Sequence, residues 1–224
     1  MYQKYQTLDE LWKLVDDLNQ KYFPENNLKP ILGNGKIFRP KIMFVFINPT
    51  HANISSNPNW QGPRFPFIGT KPIWRIFHRA GIFDDGLMDK INNSKSWSFE
   101  FTNDVLNFLK SKSFYFTNIV KWTGSDATLP NSEKIKLFLP ILEREIEIVQ
   151  PRYIVTFGLI PFENMTNQRI KLKDYFEEIM KSKKLRFFDM NYNGFKTRIT
   201  PCYFPVGRGD PKKAVEILKL IDGL

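Results

Sequence analysis

The sequence contains very few of the side chains that hold metals, form disulfides or move protons. Among its 224 residues there are one cysteine, Cys202, and two histidines, His51 and His78. A single thiol cannot form an internal disulfide, a structural zinc site or a four-thiolate iron–sulfur cluster. We therefore expect a protein of a reducing, intracellular compartment that uses no metal and no cofactor.

Long apolar segments are also missing. The longest apolar run, residues 42–47, is far shorter than the roughly 18–20 residues that cross a bilayer, so we expect no membrane association. The N-terminus lacks the basic-then-apolar layout of a secretory signal. No repeat, low-complexity tract or Gly/Ser linker divides the chain. The sequence predicts one domain over residues 1–224, with an N-terminal helix within residues 1–22 packing on it.

The charge of the chain is strongly unbalanced. Lysine and arginine number 33 against 23 aspartates and glutamates, which gives a formal net charge of +10. A field of this sign attracts polyanions, and nucleic acid is the commonest polyanion inside cells. The alternative is a lysine-rich surface that serves only solubility.

Strand and helix signals alternate along the chain, and only residues 84–100 remain ambiguous. Short apolar or hairpin-flanking segments predict strands over residues 42–47, 114–120, 153–157, 185–189 and 195–200. Amphipathic segments with caps predict helices before Pro24, over about residues 73–80, 104–112, 132–149 with an interruption at Pro140, and 172–182, and after Asp210. This order predicts an α/β fold, a three-layer αβα sandwich around a central, mostly parallel four-stranded sheet.

The loops after the predicted strands are the candidate site, because ligands of such sheets bind at the carboxyl ends of the strands. These loops are residues 48–51, 118–121 and 203–209, and residues 62–69 lie beside them. They offer two amides, an aromatic ring and a Gly-Arg-Gly tip, but no Ser/His/Asp set, cysteine nucleophile or phosphate-cradling glycine motif.

Sequence strings in these loops resemble the uracil-DNA glycosylase superfamily, over about residues 31–220. Residues 46–50, Phe-Ile-Asn-Pro-Thr, resemble the Gly-Ile-Asn-Pro-Gly of the mismatch-specific and thymine-DNA glycosylases. Residues 66–69 and 117–121 resemble the Pro-Phe-Val-Gly and Thr-Asn-Val-Val-Lys of the thermostable iron–sulfur branch. Residues 204–207, Phe-Pro-Val-Gly, lie where most branches have His-Pro-Ser.

The sequence also departs from the family pattern at three aromatic residues. Trp122 stands where the iron–sulfur branch has a cysteine, and the other three cluster cysteines are also missing, so we expect no cluster here. Phe46 replaces the glycine of the first motif, and its larger side chain is expected to fill part of the base pocket. Phe204 replaces the histidine that donates to uracil O2, a residue that the mismatch-specific and thymine branches also lack.

The resemblance implies a role for each residue of the base pocket. Phe67 stacks on a flipped base, Asn118 reads its pairing edge, and Ile47 and Phe204 complete the base-binding surface. The alternatives are a core phenylalanine for Phe67 and, for Asn118, a strand-end amide that bonds its own backbone.

Catalysis is assigned to the first motif. Asn48 would hold the attacking water, and the alternative is a simple turn after a strand. His51 aligns with the histidine of Gly-Gln-Asp-Pro-Tyr-His in the most efficient branch, or is a surface loop histidine. Thr50 stands where that branch has a tyrosine that blocks 5-methyl groups, so we expect more room for thymine.

The DNA contacts are basic. Arg208, beside Gly207, would enter the minor groove as a wedge, or would be a solvated arginine on a mobile turn. Lys121, Arg64 and Lys71 are candidate phosphate contacts, and the alternative for each is an ordinary surface cation.

The sequence therefore predicts a monomeric, monofunctional DNA glycosylase. It would remove uracil from single- or double-stranded DNA by base flipping, with other deaminated or mispaired bases as further substrates, and would be cytoplasmic and nucleoid-associated in a prokaryote. The first alternative is a weak or inactive DNA-binding module of the same fold. A second is a different α/β enzyme that acts on a free nucleotide or base.

Overall fold

The computed structural model describes residues 2–126, 128–207 and 209–224, and these residues form eight α-helices and six strands. The helices are α1 (Leu8–Tyr22), α2 (Pro72–Arg79), α3 (Asp85–Asn93), α4 (Phe99–Ser111), α5 (Ser132–Val149), α6 (Leu159–Thr166), α7 (Leu172–Ser182) and α8 (Pro211–Asp222). The strands are β1 (Asn34–Gly35), β2 (Ile42–Phe46), β3 (Phe114–Asn118), β4 (Tyr153–Phe157), β5 (Phe188–Tyr192) and β6 (Phe195–Cys202).

All of these strands belong to one sheet with the order β1-β3-β2-β4-β6-β5. The inner four strands run parallel, and the edge strands β1 and β5 pair antiparallel with β3 and β6. The predicted parallel centre is confirmed, but the described sheet has six strands rather than four. The extra edges are a two-residue strand, too short to leave a sequence signal, and the first arm of the predicted hairpin.

Helices cover both faces of the sheet, which confirms the αβα sandwich. Along β2 and β3, Phe44 and Phe116 pack toward α2, α3, α4, α7 and α8, whereas Met43 and Tyr115 pack toward α1, α5 and α6. Every residue of β2, β3 and β4 is buried, as expected for parallel strands that have helices on both sides. Polar residues at the ends of these strands therefore need a hydrogen-bond partner or a ligand.

The N-terminal helix has the predicted cap. Thr7 accepts a hydrogen bond from the Glu10 N–H, and the Glu10 carboxylate accepts one from the Thr7 N–H, which together form a capping box. Leu11 and Val15 of α1 pack into the same buried cluster as residues of α5. The organisation of residues 1–224 as one domain stays a prediction.

Four helices differ from the sequence-based expectation. Helix α3 and the first turn of α4 occupy the ambiguous residues 84–100, and α6 follows β4 directly. Helix α5 continues through Pro140 without an interruption. Among the described residues, no helix is both long and apolar enough to cross a membrane.

Candidate functional site

A cavity of about 970 Å³ opens at the carboxyl ends of the inner strands. Its volume lies at the upper end of the range for small-molecule pockets, roughly 300–1,000 Å³. The structure brings six of the eleven predicted site residues to its wall. They are Ile47, Asn48, Phe67, Asn118, Phe204 and Gly207.

Asn118, the last residue of β3, lies on the cavity wall and carries a buried, unpaired donor. Its side chain is 1% exposed, and its Nδ2 atom has no hydrogen-bond partner among the described residues. A buried amide without a partner costs about 1–3 kcal/mol. The alternative prediction, a side chain that bonds its own backbone, does not account for this nitrogen, whereas a ligand with an acceptor atom does.

Phe67 is held in a strained backbone conformation beside Asn118. Its φ of 71° lies in the left-handed region, which costs a non-glycine residue of order 1–3 kcal/mol. Three donors fix its carbonyl oxygen: the Thr70 N–H at 3.2 Å, the Thr70 hydroxyl at 2.9 Å and Trp74 Nε1 at 3.1 Å. The half-buried ring therefore lies against the cavity in a fixed position.

Phe46 does not fill the cavity. It is buried and does not belong to the described cavity wall. Its ring meets the Phe67 ring edge-on at 4.6 Å and stacks on the Phe157 ring at 4.6 Å. Phe46 thus packs against the Phe67 ring from the core side. The expected obstruction of the pocket by Phe46 is not seen, because Phe46 is not among the described residues that line the cavity.

The loop that carries Asn48 is clamped to the loop after β3. The Gly124 N–H donates to the Pro49 carbonyl at 2.9 Å, and the His51 N–H donates to the Gly124 carbonyl at 2.9 Å. The Asn48 side chain is half-buried on the cavity wall, and its Nδ2 atom donates to the Pro49 carbonyl at 3.2 Å. This leaves Oδ1 as the acceptor that the amide can offer to a water molecule.

His51 is exposed and does not belong to the described cavity wall. The structure therefore favours the alternative of a surface loop histidine. A catalytic role for His51 stays a prediction that the geometry does not support.

The loop after β6 contributes one aromatic side chain and two glycines to the cavity wall. Phe204, Gly207 and Gly209 line the wall, and Gly207 has a φ of 60°. A Cβ atom on Gly209 would lie 1.7 Å from the Phe204 carbonyl oxygen, so only glycine fits there. The predicted wedge, Arg208, lies outside the described residues.

Lys121 is not a phosphate contact, and that prediction is wrong. Its side chain is 0% exposed, and its Nζ atom donates to Glu145 Oε2 at 2.5 Å, to the Asn118 carbonyl at 2.7 Å and to the Thr117 hydroxyl. Burial lowers the pKa of the Lys121 ammonium, against the opposing effect of the Glu145 charge. The ion pair ties the end of β3 to helix α5, directly behind the Asn118 backbone.

Two further predicted phosphate contacts have partners in the protein. Arg64 makes a bidentate pair with the Asp16 carboxylate at 2.7 and 2.9 Å, and its side chain is only 20% exposed, so its phosphate contact stays a prediction that the geometry does not support. Lys71 donates to the Asn92 carbonyl at 2.7 Å from an exposed position, so its phosphate contact stays a prediction.

Sequence reasoning missed several residues of the cavity wall, among them Asn53, Asp126 and Leu129. Asn53 organises the first loop, since its amide donates to the Phe65 carbonyl at 2.7 Å and accepts from the Ser55 N–H. Asp126 and Leu129 reach the wall from the loop between β3 and α5, and Leu129 is 58% exposed. The available signal was the position of this loop after a strand end, at the same edge as Asn48.

The residues do not fit an iron–sulfur cluster. Cys202 is buried in the core, with its Sγ atom 3.9 Å from the Ala214 carbonyl oxygen. Trp122, which stands where the iron–sulfur branch has a cysteine, packs against Phe23 at 5.7 Å, and the Lys134 ammonium lies 3.8 Å from its ring. Among the described residues, no group of three His, Cys, Asp or Glu side chains is placed to hold a metal ion.

Comparisons with known proteins agree with this architecture. Residues 32–216 match the sequence model of the uracil DNA glycosylase superfamily. Over 103 residues the chain is 27% identical to a Type-4 uracil-DNA glycosylase from Saccharolobus solfataricus. That match covers 46% of this chain and 45% of the relative, so the chain spans less than half the length of the curated relative it matches. The family match covers most of the chain, which therefore belongs to the uracil DNA glycosylase superfamily.

Proposed function

We propose that this protein is a DNA glycosylase that hydrolyses the N-glycosidic bond of uracil. One observation carries the proposal. Asn48, Phe67 and Asn118 come from distant parts of the sequence and line one cavity, and the buried Nδ2 atom of Asn118 has no partner within the part of the chain that the structure describes. A base cannot enter this cavity while it is paired in a duplex, so the nucleotide is flipped out of the stack or taken from a single strand.

Uracil supplies the atoms that the Asn118 amide lacks. The Nδ2 donor matches the O4 acceptor of the base, and Oδ1 matches the N3–H donor. Cytosine presents the reverse pattern, so both contacts would be mismatched, at about 1–3 kcal/mol for each unpaired group. Stacking on Phe67 adds about 1–3 kcal/mol without distinguishing one base from another.

The bond breaks by departure of the base. The electron pair of the N1–C1′ bond leaves with uracil, the sugar acquires oxocarbenium character, and water held by Asn48 adds to C1′. Backbone N–H groups of the first loop stabilise the developing anion. Because Phe204 supplies no donor, and one missing donor costs roughly 10²–10³ in rate, we expect slow turnover.

Base release tests the proposal directly. The protein, in excess, is incubated with a uracil-containing single strand and with U·G and T·G duplexes, and abasic sites are then cleaved with alkali. We expect cleavage of the uracil substrates and loss of cleavage in Asn118→Ala. Absence of product on all substrates would reject the proposal.

A non-cutting module is the second candidate, favoured by the donor-free Phe204 ring on the cavity wall. This module would recognise damaged or single-stranded DNA. It would bind DNA with a strong salt dependence and release no base.

A further inference from the structure

Among the described residues of the cavity wall, a single side chain could accept a proton near neutral pH. Most of the wall is apolar, and the remaining polar groups are amides and hydroxyls that do not titrate near neutral pH. Asp126 is the one described wall residue with a carboxylate. Asn48 cannot take up a proton from water efficiently, because a carboxamide is a very weak base.

Asp126 is held next to the Asn48 loop. Gly124 links the two loops through its hydrogen bonds to Pro49 and His51, both at 2.9 Å. A Cβ atom on Gly124 would lie 3.1 Å from the Asp126 carbonyl oxygen and 3.6 Å from Asn48 Nδ2. The Asp126 main chain and the Asn48 side chain therefore lie close together, and both residues line the cavity, although 78 positions separate their numbers in the sequence.

The Asp126 carboxylate is oriented and ionised. Its Oδ1 atom accepts a hydrogen bond from the Thr128 N–H at 2.7 Å, which fixes the side chain in an Asx turn. Hydrogen bonds from Thr128 hold the pKa of the Asp126 carboxyl below its ordinary value, and the nearby His51 charge acts in the same direction. The Asp126 carboxyl is therefore ionised at neutral pH, which is the form that accepts a proton, and its lowered pKa makes it a weak base.

We propose that Asp126 is the general base of the glycosylase reaction, a role that rests on the proposed function. Water positioned by the Asn48 Oδ1 atom gives one proton to the Asp126 carboxylate, while its oxygen bonds to C1′ and the N1–C1′ electron pair leaves with the base. The proton then passes from Asp126 to solvent or to the released uracil anion. The negative charge also stabilises the positive charge that develops on the sugar.

The test is the single-turnover rate of uracil release from a single strand. Asp126→Asn keeps the oxygen that accepts from Thr128 and removes the base, so we expect the rate to fall about 10²-fold, as for loss of a general base. DNA affinity should stay equal or increase, because a negative charge near the phosphates is removed. Asp84→Asn is the matched control, since Asp84 is also exposed and caps a backbone N–H, that of Leu87.

A rescue variant separates chemistry from loop structure. Asn48→Asp returns a carboxylate to the cavity wall, so the double variant Asn48→Asp/Asp126→Asn should recover most of the lost rate. A wild-type rate in Asp126→Asn, a parallel loss of DNA affinity, or no recovery in the double variant would overturn the role of Asp126 alone. Absence of base release by the wild-type protein would overturn the proposed function, and the role of Asp126 with it.

Discussion

The two faces of strand β3 differ in how the buried polar side chains at its carboxyl end are hydrogen-bonded. On the face toward α5, Thr117, Lys121 and Glu145 form a buried network in which the charges are paired and hydrogen-bonded. On the other face, one residue further along, the Asn118 amide is equally buried and its nitrogen has no partner among the described residues. The paired face holds the strand in place, and the unpaired face is available to a ligand.

Of the variants considered, removal of one charge from the buried network should have the largest effect on stability. Lys121→Met leaves the Glu145 carboxylate buried without its cation, which should lower the free energy of unfolding by about 3–5 kcal/mol. Chemical denaturation followed by circular dichroism measures this loss. Lys121→Met/Glu145→Leu, which removes both charges, should recover part of it. Equal stability of Lys121→Met and wild type would contradict the structural role of the pair.

Adjacent residues on β3 should separate stability from activity. Asn118→Ala removes the group that we propose reads the base, so we expect single-turnover uracil release to fall roughly 10²–10³-fold, the scale of one lost transition-state donor. Its free energy of unfolding should be unchanged or higher, because a buried unpaired donor is removed.

Thr117→Val is the matched control for this variant. It loses hydrogen bonds to the Lys121–Glu145 pair, which should lower stability by about 1.5–3 kcal/mol and leave the rate of base release near that of the wild type. If both variants changed rate and stability together, the two faces of β3 would not have separate roles.

Loss of the Phe67 ring from the cavity wall should have a smaller effect, which is on the affinity for DNA. Phe67→Leu keeps an apolar side chain but removes the stacking face, so affinity for a uracil-containing strand should weaken by about 1–3 kcal/mol. Phe65→Leu is the control, because Phe65 lies wholly in the core. That variant should lower thermal stability and leave DNA affinity unchanged. Fluorescence anisotropy of labelled DNA measures both affinities.

The sequence predicted elements whose signals are local. Strand β4 and helix α7 have the predicted bounds, because Pro151 and Gly158 flank the strand and because the apolar stripe of the helix has helical spacing. Helix α6 was missed, since Gly158 and Pro161 resemble a loop when their surroundings are unknown. Both glycine and proline are tolerated there because they lie at the N-cap and in the first turn.

The candidate site was predictable where a motif follows a strand, as for Asn48 and Asn118. The misassignment of Lys121 has a tertiary cause, since its partner Glu145 lies 24 positions away on another element. One signal was available: Glu145 occupies the apolar stripe of α5 with Leu142 and Ile146, and a carboxylate at such a position requires a buried partner. Asp126 left no such signal, because its loop has no periodicity.

The smallest predicted effect concerns the 5-methyl group of thymine. Thr50 lines the cavity and Phe46 does not, so the space beside Thr50 is not refilled by the substituted aromatic ring. Thr50→Tyr should narrow this space and raise the preference for uracil over thymine about tenfold, the scale of one methyl group in a pocket. Competition between U·G and T·G duplexes measures the ratio. If Thr50→Tyr left the preference for uracil over thymine unchanged, the 5-methyl group of thymine would not occupy the space beside Thr50.

The central claim is that the unpaired Asn118 amide receives uracil, and nuclear magnetic resonance of that amide tests it most directly. The side-chain Nδ2 protons, assigned by their absence in Asn118→Ala, are followed while free uracil or cytosine is added. We predict a downfield shift with uracil, as a hydrogen bond to O4 forms, and no such shift with cytosine. Equal responses to the two bases, or no response to uracil, would contradict the account.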